Sequence, residues 1–312
     1  MWLIDTQTLK LKFITNTDYR YAILSHTWGG DEVTFEDMKN PAIAETKTGY
    51  HKIQKTCERA SSQGLYLAWV DTCCIDKSSS AELSESINSI FQWYRLSAVC
   101  YAWLEDWDGS APTSMRNSRW FTRGWTLQEL IAPRCVEFLD PDWTPRGNKL
   151  SLGQLISAVT RIDLDVLQGL RSLSQVAVGR RMSWAASRQT TRFEDRAYSL
   201  LGIFDINMPL LYGEGQKAFL RLQEQIARDS SDLSLFAWDI PSDPCRWPRG
   251  QEFIGIFTTS PDNFKDCGTL IAQNNQFYNL KDFVVTNKGL SIYTSLVPCQ
   301  VAEWQEARGV SL

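Results

Sequence analysis

The sequence predicts an α/β protein: a mainly parallel, doubly wound sheet, then a helical extension, then a C-terminal β-rich segment. Three observations carry this. Short apolar runs alternate with amphipathic helical stripes over the first 140 residues. The spacing turns mostly helical over 150–232, and strand-like runs separated by turns return after Pro241.

The elements follow in order. Arg20 to Ser25 (RYAILS) is a first buried-strand run, and Ile53, Cys57 and Ala60 mark a helix over 49–63. Leu65 to Asp71 (LYLAWVD) is the second run, with its strand over 66–71. Leu83, Ile87, Ile90, Phe91 and Tyr94 form a helical stripe over 80–96, with Glu82 and Glu85 in the first turn, where acids suit the helix dipole. Ala98 to Leu104 and Cys135 to Leu139 are the third and fourth strands, with a short helix near 126–132 stopped by Pro133. Strand and helix alternating in this way imply parallel strands with helices on both faces. Asp140 to Asn148 (DPDWTPRGN) is rich in turn residues and marks a boundary. The expected organisation is an α/β domain over 1–148, a helical extension packed on it over 149–240, and a β-rich segment over 241–312. In the extension, the 216–229 helix carries Phe219, Leu222, Gln223 and Ile226 on one face. That stripe, with Phe193, Tyr198, Leu201 and Phe204, needs a surface to cover. The last segment has strand-like runs near 253–258, 277–286 and 290–296, and its end has no evident partner. The chain is therefore read as part of a longer protein.

Composition excludes several classes. Apolar residues are 43% and charged residues 22% of 312, which suffices for a core without staples. A net charge of -4 with no basic run argues against a nucleic-acid surface. No apolar stretch approaches the roughly 20 residues of a membrane span. The eight cysteines include no CxxC pair, and no signal peptide is evident, so free thiols in a reducing, cytoplasmic compartment are expected. Cys73, Cys100 and Cys135 fall in or beside predicted buried strands. The thirteen tryptophans are read as mostly core. There is no HExxH, GxSxG or GxxxxGK[ST] motif, and no zinc-type Cys/His cluster. Gly213-Glu214-Gly215-Gln216-Lys217 has the wrong spacing for a phosphate loop and reads as a helix entry.

Three segments remain. Tyr21 to Gly29 (YAILSHTWG) places Ser25, His26, Thr27 and Trp28 at the carboxyl end of a strand, where doubly wound sheets form their crevice. A loop satisfied by its own hydrogen bonds is the alternative. Trp69 to Lys77 (WVDTCCIDK) puts Asp71 at the next strand end, with Cys74 and Asp76 in the loop beyond. These acids suit ribose hydroxyls, or equally a helix cap or loop brace. No third ligand suggests a metal. Arg119 to Leu130 (RWFTRGWTLQEL) contains Thr126-x-x-Glu129, formally a capping box. Glu129 therefore either reaches backbone amides or faces the crevice, and the sequence leaves both open.

Together YAILSHTWG, WVDTCCIDK and SRWFTRGWTLQEL resemble the heterokaryon-incompatibility (HET) domain of fungal proteins, over about residues 20–145. RFEDRAYSLLGI and MPLLYGEGQKAFLRLQEQI resemble the extension common in that family. The family resemblance implies a role in self/non-self recognition and cell death. HET domains are in turn remotely similar to Toll/interleukin-1 receptor (TIR) domains, with a TIR/flavodoxin-like sheet. Trp125-Thr126-Leu127-Gln128-Glu129-Leu130 fits the TIR Trp-Cys-x-x-Glu-Leu pattern, with Thr126 in place of cysteine. The TIR resemblance implies NAD as substrate, no other cofactor, and Glu129 as the catalytic group. Ser25, His26, Thr27, Trp28, Asp71, Cys74, Asp76, Arg123 and Trp125 would line the substrate site, with Arg123 on a phosphate. The alternative is a non-enzymatic module that acts by self-association or partner binding; in either case a homo-oligomer is expected when the protein is active, with other incompatibility or NOD-like proteins as further partners. Neither a membrane nor a nucleic acid is an expected partner.

Overall fold

The computed structural model describes residues 1–15, 19–109, 111–239, 255–272, 283–286 and 289–292. Its centre is a seven-stranded sheet: β1 (Trp2–Asp5), β2 (Leu11–Phe13), β3 (Ala22–His26), β4 (Leu67–Trp69), β5 (Val99–Trp103), β6 (Val136–Leu139) and β7 (Pro145–Asn148), in the order β2-β1-β4-β3-β5-β6-β7. The four central strands are parallel, pairing Ala22 with both Ala68 and Val99, and Cys100 with Val136. Every residue of β3 and β5 is buried, which is why both read as unbroken apolar runs rather than as alternation. The Tyr50–Ser62 and Ser80–Leu96 helices connect the parallel strands. The Ser79 side chain caps the second helix by accepting the Glu82 amide.

The outer strands add what periodicity did not reveal. β1 and β2 form a hairpin, and β1 pairs antiparallel with β4. Its turn contains no glycine. The Asp5 carboxylate builds it by accepting the Gln7 and Thr8 amides, and the Lys12 ammonium sits 2.5 Å away. β7 falls inside the stretch read as a boundary turn; it pairs antiparallel with β6, with Pro145 at the start of an edge strand.

The region after β7 is helical, and its side chains share one hydrophobic core with the sheet's layers. Tyr198, Leu201 and Phe204 are buried, but Phe193 is 68% exposed, so one aromatic read as core stands in solvent. The Leu201–Phe204 turn lies on the Ser80–Leu96 helix so closely that a Cβ at Gly202 would stand 2.1 Å from the Phe91 Cβ. Gly202→Ala is therefore expected to cost about 1–3 kcal/mol, read as a lowered thermal midpoint. The Gly213 and Gly215 amides both donate to the Glu194 carboxylate, at 2.8 and 2.9 Å. Amides that a phosphate loop would aim at a ligand are thus spent within the protein, ahead of the Lys217–Asp229 helix.

Met1–Ala272 form one compact unit and Gln273–Leu312 a second. Within the second, β8 (Val284–Thr286) pairs antiparallel with β9 (Gly289–Ser291). The described residues 255–258 are not a strand, contrary to the reading of 253–258. Residues 253–254, 277–282 and 293–296 of the expected strands lie outside the described residues. Cys57, Cys73, Cys74, Cys100, Cys135 and Cys267 are free; Cys245 and Cys299 lie outside the described residues. Cys135 is exposed, because it precedes β6 rather than joining it.

Candidate functional site

Parallel strands put their following loops on one edge. β3 delivers Ser25 and His26 to that edge, β4 delivers Asp71 two residues past its end, and the Thr126–Ile131 helix brings Glu129 beneath them. The Ser25 hydroxyl donates to Glu129 Oε2. The Trp120 indole N–H donates to the Ser25 oxygen at 2.8 Å, and Trp120 is fully buried. Tyr94, whose hydroxyl donates to the Leu24 carbonyl at 2.9 Å, lies beside Glu129.

The capping box does not form. The helix N-cap is Trp125, without a side-chain cap. The Thr126 hydroxyl turns back to the Trp120 and Arg123 carbonyls and accepts from Arg188 Nη1 at 3.0 Å. Glu129 thus turns inward to Ser25 rather than reaching the N-cap amide. It is only 5% exposed, and burial pushes its carboxyl up to about 8. The negative charge of Asp71 raises it further, against the Ser25 hydrogen bond, the Arg123 charge and the nearby Tyr94 hydroxyl. At neutral pH the group is mostly protonated.

His26 stands between two carboxylates, its Nε2 3.7 Å from Glu32 and its Nδ1 3.8 Å from Asp71. The ring is 4% exposed, and neither nitrogen has a hydrogen-bond partner among the described residues. Burial opposes the charge of Glu32, but the His26 ring, the Lys52 ammonium at 2.5 Å and the Gly29 amide together hold its carboxyl down at about 2. Trp28 is 40% exposed, and its indole N–H donates to Asp71 Oδ2 at 2.8 Å. The Lys77 ammonium and the Arg123 guanidinium both lie over that ring.

Other sequence-selected residues fall outside this group. Thr27 is buried and offers its carbonyl to Lys52 at 3.4 Å. Cys74 is buried under the Val70 amide. Asp76 braces its own loop, accepting from the Ser78 amide and hydroxyl. Trp125 lines a cavity of about 330 Å³ with Arg123. Neither this cavity nor a larger one of about 690 Å³ beside Phe91 and Ile131 is lined by Glu129. No group of three metal-ligating side chains occurs among the described residues.

Sequence reasoning gave no role to Trp120, Tyr94, Glu32, Lys77 or Arg188. Trp120 sits inside a selected motif and Glu32 closely follows one. Arg188 carried no signal, since it comes from the extension. Its fully buried guanidinium donates to the Trp184 and Arg123 carbonyls and to Thr126.

Residues 21–116 match the family model for the heterokaryon incompatibility protein (HET). The chain belongs to the HET-domain proteins. Over 226 residues it is 49% identical to the vegetative incompatibility protein HET-E-1 of Podospora anserina, an alignment covering 69% of this chain. The chain spans only 16% of that protein's length. No solved structure matches. The family match holds Ser25, His26, Trp28, Asp71 and Lys77, whereas Trp120, Arg123, Glu129 and Arg188 lie beyond it.

Proposed function

We propose that this chain is the effector region of a cytoplasmic incompatibility protein, acting in self/non-self recognition and cell death by cleaving NAD at the nicotinamide–ribose bond. The observation that carries the reading is the Glu129 carboxyl, held by Ser25 at the carboxyl edge of the parallel strands with a proton affinity tuned toward neutrality. The TIR-like pattern around Glu129 belongs to the same proposal. Breaking the bond builds oxocarbenium character on the ribose and releases neutral nicotinamide, so no strong general acid is needed. Water completes the reaction, giving ADP-ribose and a proton. The positive charge of the nicotinamide ring favours loss of the Glu129 proton, and the carboxylate then stabilises the developing ribose cation.

A second reading is a non-enzymatic module that acts by self-association or by binding another incompatibility or NOD-like protein. The burial of Glu129, with neither cavity opening on it, favours that reading for the unassembled chain. In the enzymatic reading, assembly supplies the opening. Purified protein incubated with NAD separates the two. Steady nicotinamide release is expected of the hydrolase, and intact NAD in both dilute and self-associated protein ends that reading.

A further inference from the structure

Two cations meet on one indole ring. The Lys77 ammonium lies 3.8 Å from the Trp28 ring centroid and the Arg123 guanidinium 5.6 Å from it. Lys77 comes from the loop after β4, Arg123 from the turn entering the Thr126–Ile131 helix. Neither forms an ion pair among the described residues. Of the neighbouring carboxylates, Asp71 Oδ2 accepts from the Trp28 indole and Glu32 Oε1 pairs with Lys52, while Asp71 Oδ1 faces His26 at 3.8 Å with no hydrogen-bond partner among the described residues. Asp71 and Glu32 attract Lys77 without pairing with it, Arg123 repels it, and a bound anion gives both cations a direct partner. The ring attracts both cations, and the Asp71 hydrogen bond fixes the ring.

Arg123 also walls the 330 Å³ cavity, completed by Trp125, Gln189, Thr190, Thr191 and Asp195. Its far wall belongs to the extension, and the seam is tightly made. Arg123 and Gln189 form a parallel bridge, the Gly124 amide donates to the Gln189 carbonyl at 2.8 Å, and the Gln189 amide donates to Thr122 at 2.7 Å. A Cβ at Gly124 would stand 2.5 Å from Thr190 Cγ2, so glycine is what lets the two walls meet. The lining is an amide, two hydroxyls and a carboxyl. Asp195 accepts from the Tyr212 hydroxyl at 3.0 Å, and burial pushes its carboxyl up, which favours a further donor from a ligand.

We propose that this seam binds a nucleoside diphosphate. The diphosphate lies between Lys77 and Arg123, and the nucleoside enters the polar cavity, its sugar hydroxyls toward Thr190, Thr191 and Asp195. Roughly 300 Å³ is the lower end of ligand-pocket sizes, enough for one nucleoside and not for a whole dinucleotide. The remaining half of NAD then runs past Arg123, whose charge Glu129 already feels. Only this last placement rests on the hydrolase reading; the binding itself does not.

Calorimetric titration of the full chain with ADP, ADP-ribose and inorganic pyrophosphate at low ionic strength tests the assignment. ADP and ADP-ribose are expected to bind competitively, and pyrophosphate more weakly at the same site. Lys77→Met and Arg123→Gln should each weaken ADP tenfold or more without moving the thermal midpoint. Arg134→Gln, which removes an exposed arginine elsewhere, should bind as wild type does. No ADP binding by wild type, or equal binding by Lys77→Met and Arg123→Gln, overturns the proposal. ADP binding lost in those variants, with no NAD cleavage by wild type, sustains it and ends the hydrolase reading. NAD cleavage with an unchanged KM in both variants does the reverse.

Discussion

Glu129→Gln is expected to lower NAD cleavage by roughly 10²-fold or more, the scale of removing one key electrostatic stabiliser, while leaving the fold intact. Glutamine keeps the shape and can still accept from Ser25. The same substitution carries a stability signature. The Glu129 carboxyl is held near 8 in the folded protein against an ordinary 4.5. A raised acid favours folding fully below its unfolded value and loses that contribution as pH rises through its folded value. Wild-type stability should therefore decline between about pH 4.5 and 8, by on the order of a few kcal/mol at about 1.36 kcal/mol per unit. Glu129→Gln should remove that slope. Denaturant unfolding at several pH values reads it. A variant with the wild-type slope shows that another group titrates there, and a variant with the wild-type rate shows that Glu129 is not catalytic.

Arg188→Met should have the second-largest effect, on stability and site together. It strips donors from the Arg123 and Trp184 carbonyls and from the Thr126 hydroxyl, all in the interior. A loss of about 2–4 kcal/mol is expected, since unpaired buried acceptors are costly but a buried cation is removed with them. Burial pushes the guanidinium down to about 10 while Glu129 draws it up, so it stays charged at neutral pH. Removing that charge should move the Glu129 titration upward. Arg188→Lys should return part of that shift with fewer hydrogen bonds. An unmoved titration in Arg188→Met, in folded protein, would reduce Arg188 to a structural brace.

What the sequence disclosed follows from what periodicity can carry. β3 and β5 are buried on both faces, so each announced itself as an apolar run. The Ser80–Leu96 helix declared its apolar stripe and the acidic Glu82 of its first turn, but not its Ser79 cap. The β1–β2 hairpin stayed hidden because its turn is built by the Asp5 side chain rather than by glycine, and its second strand is mostly exposed. β7 hid in a run of turn residues because an edge strand tolerates proline. At the site, the strand-end rule picked out Ser25, His26 and Asp71, which do converge. The capping-box spacing was misleading. Thr126 obeys the pattern in sequence, yet its hydroxyl is claimed by the Trp120 and Arg123 carbonyls and by Arg188. Arg188 and Asp195 reach the site only through the packing of the extension, which no local spacing encodes.

The most direct measurement is nicotinamide release from NAD by the purified, self-associated wild-type chain, followed from pH 6 to pH 9. Turnover is expected, with a kcat/KM that climbs with pH along a limb with an apparent pKa near 8, because the carboxylate form of Glu129 does the work and burial makes that form scarce at lower pH. NAD left intact across the whole range, or release that is flat with pH and persists in Glu129→Gln, would contradict it.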